Sequence, residues 1–188
     1  MDHYYENVFG WFSDWDKQVY DKAVAKYNDG DIFVEIGSFK GRSASVMGVN
    51  IINSNKNIKF YCVDTWQGSE EHQKGALAED SDVVNGTLYD VFLKNTEPVK
   101  DVLIPIRKPS EEAAKDFADN SLAFVFIDAS HDYENIKKDL NSWFPKVKKG
   151  GTLAGHDAAY PPIIQALNEF CQENNLSWTS GSSWEILI

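Results

Sequence analysis

The sequence predicts a single α/β domain spanning residues 1–188, a doubly wound sheet whose strands run mostly parallel. Three observations predict it. Apolar strand-like segments alternate with helical ones five times in succession between residues 32 and 171, and parallel neighbours require such helical crossovers. The tail, residues 176–188, breaks the alternation with two short segments around Ser180-Gly181-Ser182, a hairpin pattern that adds an antiparallel strand on one side. No internal repeat, low-complexity tract or Pro/Gly/Ser linker marks the start of a second domain.

The elements follow in order. Residues 1–30 form a lead-in, with apolar Val19, Ala23, Ala25 and Tyr27 on a helix that stops at Asn28-Asp29-Gly30. "IFVEI", 32–36, is the first strand, and a helix from about Arg42 to Ile52 follows it. Strand "KFYCVD", 59–64, pairs with helix 87–95, strand "VLIPI", 102–106, with helix 110–118, and strand "LAFVFID", 122–128, with helix 133–144. Strand "GTLAGHD", 151–157, precedes helix 162–171. One connection is long: residues 67–86 carry an acidic cluster of Glu70, Glu71, Glu79, Asp80 and Asp82. Such a stretch is either a lid loop or a surface insertion with a short helix of its own.

Charge narrows the function. Eighteen Lys+Arg against 29 Asp+Glu give a net charge of −11, a field that repels phosphate backbones and argues against nucleic acid as a partner. The longest apolar run, Leu122 to Ile127, is far short of the roughly 18 residues of a membrane span, and the start "MDHYYENVFGWF" lacks a basic n-region. Cys62 and Cys171 have no metal-ligand spacing and suit a reducing compartment, so the expected location is cytoplasmic.

Chemistry concentrates where the strands end. "VEIGSFKGRSAS", 34–45, puts Glu35 inside the first strand and Gly37 and Gly41 in the turn after it. Gly37 would admit a ligand close to the backbone and Gly41 would allow close strand–helix packing. Phe39 and Lys40 stand where a dinucleotide fold needs glycine, so the GxGxxG fingerprint is absent, as is a Walker motif. Asp64 ends the second strand, where a carboxylate either accepts ribose hydroxyls or caps the next turn with Thr65. A nucleoside-bearing ligand without a pyrophosphate cradle points towards S-adenosylmethionine.

"EIGSFKGRS", "CVDTW", "FIDASHDYENIKKDL" and "KKGGTLAGHD" resemble, in order, the successive motifs of class I S-adenosylmethionine-dependent methyltransferases. They are most similar to the small O-methyltransferase branch of catechol and macrocin or sugar enzymes. The resemblance covers about residues 30–171. It implies a Rossmann-like fold with a seven-stranded sheet whose last strand is antiparallel. It also implies cofactor contacts from Glu35, Gly37, Ser38, Gly41 and Ser43 at the methionine end and from Asp64 at the ribose. Trp66 would flank the sugar or adenine, and Ser110 and Glu111 would border the adenine. Ser110 also suits a cap for the helix that follows.

The reactive half lies at the fourth and fifth strands. Asp128, His156 and Asp157 come to neighbouring strand tips and form a candidate divalent-metal site, Mg²⁺ or Mn²⁺, with Asp128 also bordering the cofactor. His156 departs from the resemblance, standing where an Asp is usual. His131 follows Asp128 by three residues, where catechol-type enzymes carry a lysine base. An imidazole with a reference pKa of about 6.5 suits proton removal, with a cap or hydrogen-bond donor as the other reading. Asp132 and Glu134 read as helix-opening charges. Tyr160, Pro161 and Pro162 read as a turn at the rim.

The expected function is methyl transfer to a hydroxyl of a small sugar or phenol acceptor by a chain that could form a homo-oligomer. A noncatalytic S-adenosylmethionine-binding module and a nicotinamide-dependent oxidoreductase are the competing readings, and the missing GxGxxG weighs against the second.

Overall fold

The computed structural model describes residues 1–181 and 183–188, the side chain of Glu71 excepted. Ser182 of the hairpin turn and the Glu71 carboxylate of the acidic loop therefore lie outside the described residues. After a 3₁₀ turn at Tyr4–Asn7 the chain runs α1 (Asp14–Lys26), β1 (Ile32–Ile36), α2 (Arg42–Ser54), β2 (Lys59–Asp64) and α3 (Ser81–Val84). It continues through α4 (Leu88–Thr96), β3 (Leu103–Arg107), α5 (Ser110–Ala114), β4 (Leu122–Ile127) and α6 (Tyr133–Trp143). β5 (Val147–Gly155), α7 (Pro161–Asn174), β6 (Trp178–Ser180) and β7 (Trp184–Leu187) complete it.

The sheet has seven strands in the order β3-β2-β1-β4-β5-β7-β6. β1 to β5 pair in parallel, and β7 runs antiparallel between β5 and β6. The hairpin of the tail thus supplies the antiparallel strand. Successive side chains of a strand point to opposite faces, and both faces are covered. Phe33, Phe60, Cys62, Phe124 and Phe126 pack beneath α1, α2 and α4. Val34, Ile36, Val63, Val125, Ile127 and Leu153 pack beneath α5, α6 and α7. Glu35 falls on the first face by the same alternation, which drives a carboxylate into an aromatic core. Cys62 and Cys171 lie in opposite layers, and both are free thiols.

Two boundaries differ from expectation by four residues. α5 ends at Ala114 because Lys115, Asp116 and Phe117 turn back on residues three before them, a tighter winding than an α-helix. β5 begins at Val147 because that residue already pairs with Leu122, and the register then shifts across an irregularity before Phe124 meets Thr152. Among the described residues no helix is long and apolar enough to cross a membrane.

Candidate active site

The strand tips of β1 and β2 are tied together by the chain itself. Oδ2 of Asp64 accepts the N–H of Phe39 at 2.8 Å and Oδ1 accepts the N–H of Trp66 at 2.7 Å, so the carboxylate clamps the turn after β1 to the end of β2. Burial raises the Asp64 carboxyl above its ordinary value, and these backbone N–H groups pull it back. Gly37 has φ +87° and Gly41 φ +87°, a region that side-chain-bearing residues rarely adopt. A Cβ on Gly37 would meet the carbonyl oxygen of Asp128 at 2.0 Å, so this glycine lets the ends of β1 and β4 close together. At Gly41 a Cβ would meet Thr96 at 2.7 Å, so the close packing there is of the start of α2 against α4 and not of a helix against a strand.

Glu35 is fully buried, and its Oε2 accepts the hydroxyl of Tyr20 from α1 at 2.5 Å. Its Oε1 and the Oγ of Ser38 are buried with no hydrogen bond of good geometry. Burial pushes the Glu35 carboxyl up to about 7, against the nearby hydroxyls of Tyr20, Ser38 and Ser43. Buried polar atoms left open at a strand tip are expected where a polar ligand completes the site.

Aromatic side chains cover this turn. Trp11 stacks on His72 at 5.7 Å between ring centroids, Phe39 stacks on His72 at 5.2 Å, and Phe9 meets Trp11 at 5.2 Å. The 67–86 connection contains a 3₁₀ turn at Glu70–His72 as well as α3. It is held by Lys40, whose Nζ lies 2.7 Å from both Asp80 and Asp82. The Trp66 ring turns the other way: at φ +51° its indole N–H donates to the Phe39 carbonyl at 2.9 Å, and it packs on Tyr89 and Phe92. The rings over the turn after β1 are therefore Phe39 of that turn itself and Trp11 and His72, which come from two segments that no motif marks.

The reactive cluster forms as the strand register dictates. Ile127 pairs with Gly155, which sets Asp128 beside His156. Asp157 adopts φ +57°, a strained left-handed conformation that Asp tolerates better than most residues. Nε2 of His131 lies 2.9 Å from Asp157 Oδ2, and Nδ1 of His156 lies 3.1 Å from the same oxygen and 3.7 Å from Asp128 Oδ1. Burial disfavours the charged form of His156, but Asp157, Asp16 and Asp128 outweigh it and raise its pKa to about 11. Asp157 is pressed upward by burial yet held well below the usual carboxylate range by hydrogen bonds from His131 and His156. Burial raises Asp128 to about 6 against the pull of the two imidazoles. Asp128, His131 and Asp157 each offer a ligand atom within 4.8 Å of the others, and a cavity of about 10 Å³, enough for one water, lies among them.

Asp16 is the residue that motif reading misses. It is 1% exposed, and its Oδ2 lies 3.2 Å from His156 Nε2. In sequence it belongs to Ser13-x-x-Asp16, a capping box, which the structure also shows, so the local signal hides the long-range contact.

Other predicted residues stand apart. The Ser110 hydroxyl donates to Asp139 at 2.5 Å and accepts from the Trp143 indole at 2.8 Å, while Pro109 takes the cap position. Glu111 is exposed in the first turn of α5. Asp132 caps α6 by accepting the N–H of Asn135 at 2.9 Å. Tyr133 and Lys137 converge on Glu169 of α7. Tyr160 is 53% exposed with its ring 5.8 Å from that of His131, at the rim.

A sheet of this order, with β7 reversed between β5 and β6, is the class I methyltransferase fold. Residues 34–158 match the family model described as a methyltransferase domain, and the chain belongs to that family of enzymes. The O-methyltransferase NovP superposes with a TM-score of 0.68 at 16% identity over 91% of this chain and 78% of its own. An O-methyltransferase of Bacillus cereus, solved with SAH, gives 0.66 at 14% identity over 100% and 92%. The calicheamicin methyltransferase CalS11 gives 0.65 at 14% identity over 92% and 78%. Among curated sequences, y4gI of Sinorhizobium fredii is 27% identical over 66% of this chain, which spans 13% of its length. Protein R132 of Acanthamoeba polyphaga mimivirus is 25% identical over 97% of this chain and 78% of its own.

Proposed function

We propose that the protein transfers a methyl group from S-adenosylmethionine to a hydroxyl of a small sugar or phenol acceptor, with a divalent cation at the reactive cluster. The observation that carries this reading is the adjacency of two differently prepared sites. Open buried oxygens at Glu35 and Ser38 lie at the tip of β1, and two carboxylates with two imidazoles lie at the tips of β4 and β5. Structural neighbours support it: NovP and CalS11 are named methyltransferases, CalS11 is described as a TDP-rhamnose 3'-O-methyltransferase, and the Bacillus cereus enzyme was solved with SAH.

When bound, S-adenosylmethionine supplies an electrophilic methyl on a sulfonium. Glu35 Oε1 and Ser38 Oγ suit its ammonium and carboxylate groups, and Asp64 suits its ribose hydroxyls. Asp128, Asp157 and Nδ1 of His156, once that nitrogen gives up the proton its carboxylate neighbours favour, would hold Mg²⁺ or Mn²⁺, with the nitrogen favouring Mn²⁺, and the ion would lower the proton affinity of an acceptor hydroxyl. His131 removes that proton. Its side chain is 35% exposed and faces the rim, so an entering acceptor can reach it. Asp157 orients the His131 ring through the 2.9 Å contact. The turnover of a positioned pair is governed mainly by alignment and charge.

The test is calorimetric titration with S-adenosylmethionine and SAH, in EDTA and in Mg²⁺ or Mn²⁺, followed by methyl-transfer assays on sugar and catechol acceptors. Cofactor binding with metal-dependent transfer is expected. Absence of cofactor binding under every condition defeats the reading, and binding without transfer to any acceptor leaves a noncatalytic module.

A further inference from the structure

The lead-in helix touches both halves of the site through two side chains one turn apart. Asp16 and Tyr20 stand at i and i+4 and share one face of α1. Asp16 is 1% exposed and Tyr20 fully buried. Oδ2 of Asp16 accepts the N–H of Ser13 at 2.9 Å and its hydroxyl at 2.6 Å, and Oδ1 accepts the hydroxyl of Ser183 at 2.7 Å. The same carboxylate faces His156 Nε2 at 3.2 Å, while the Tyr20 hydroxyl donates to Glu35 at 2.5 Å.

Neither long-range contact is required to hold the helix. Val19, Ala23 and Val24 bury its apolar face, and the capping box at Ser13 secures its start. Burying a carboxylate and a phenolic hydroxyl costs desolvation, which a helix serving only to cover the sheet avoids with apolar side chains. Both groups are instead aimed at ionisable groups at the strand tips, Asp16 at His156 and Tyr20 at the fully buried Glu35. Histidines that ligate cations commonly turn their far ring nitrogen to a carboxylate, which fixes the ring. Asp16 has that relation to His156.

Resting on the methyl-transfer reading, we infer that Asp16 and Tyr20 are positioning residues. Asp16 holds the His156 ring so that Nδ1 faces Asp157 and Asp128, and Tyr20 holds Oε2 of Glu35 so that Oε1 is left for the cofactor's ammonium. α1 thus sets the geometry of two subsites independently, through separate residues.

The experiment compares Asp16→Asn and Tyr20→Phe in the full chain by calorimetry with SAH and with Mn²⁺, and by ¹⁵N NMR of the imidazoles, with His156→Gln for assignment. Asp16→Asn is expected to weaken Mn²⁺ by 10- to 100-fold and to shift the His156 ring signals, with SAH affinity held within about twofold. Tyr20→Phe is expected to weaken SAH roughly tenfold and leave the His156 signals in place. Parallel losses of both ligands in both variants, tracking stability, overturn the inference, as does no change in either. Should Asp16→Asn not fold, Ser183→Ala removes a neighbour of the carboxylate and leaves it intact, and the same Mn²⁺-selective loss is expected in weaker form. Failure of wild-type SAH binding defeats the methyl-transfer reading separately, because the His156 signals still decide the role of Asp16.

Discussion

His131 and His156 share one oxygen of Asp157, at 2.9 Å and 3.1 Å, from the neighbouring tips of β4 and β5. A single carboxylate therefore orients both imidazoles, and the two rings are given different surroundings. His156 is backed by a buried carboxylate, whereas His131 sits at the rim beside Tyr160. On the proposed function, this asymmetry suits His156 to holding a cation and His131 to taking a proton.

His131→Gln is expected to lower the methyl-transfer rate by about 10²- to 10⁴-fold, the usual contribution of a positioned general base. Affinity for SAH and Mn²⁺ should stay near wild type. Loss of Mn²⁺ affinity in the same variant would make His131 a ligand instead, and the calorimetric and kinetic measurements together distinguish the two.

Glu35 links the site to pH. Its carboxyl keeps a proton in the folded chain up to about pH 7, while the unfolded chain releases it near 4.5. Stability from this group is complete below pH 4.5 and falls as pH rises to about 7, by about 3 kcal/mol at 1.36 kcal/mol per unit. Glu35→Gln should make thermal stability fall less steeply across that window, leaving the slopes from Asp128 and Asp139, each raised by burial to about 6. At pH 8 the variant should melt several degrees above wild type and bind S-adenosylmethionine more weakly. Parallel melting profiles for the two proteins would refute the assignment.

Lys40→Met removes the cation that Asp80 and Asp82 share. Two half-buried carboxylates are then left facing each other, a loss of about 1 kcal/mol. Limited proteolysis should cut faster near the exposed Leu77, and SAH should dissociate faster. Unchanged cleavage would show that the aromatic stack alone holds the loop.

Gly37→Ala sets a methyl 2.0 Å from a backbone carbonyl that cannot rotate away, at a φ of +87°. A cost of about 3 kcal/mol or more is expected in urea unfolding. Gly41→Ala meets side chains of Thr96 and Phe92, which can shift, and should cost less.

The order of strands and helices was legible because each carries its own period and its own stop signals. "LAFVFI" reads as a strand buried on both faces, and all six residues of β4 are buried. The pairing of Asp128 with His156 and Asp157 was legible from the topology, since parallel neighbours bring their carboxyl ends together. Asp16, Phe9, Trp11 and His72 were not, because each meets the site across long separations that leave no local pattern. Asp16 was in addition masked by a real capping box. Trp66 was misplaced for a related reason: "CVDTW" fixes its position next to Asp64 but not the backbone turn that sends its ring into the core.

The engagement of α1 also bears on where a working unit can be cut. The family match covers residues 34–158, yet Asp16 and Tyr20 precede it and Ser183 follows it. A fragment trimmed to the match, or a chimera that grafts those motifs onto another scaffold, keeps every recognisable signature and loses the struts behind Glu35 and His156. The portable piece of this enzyme is therefore larger than the piece that identifies it.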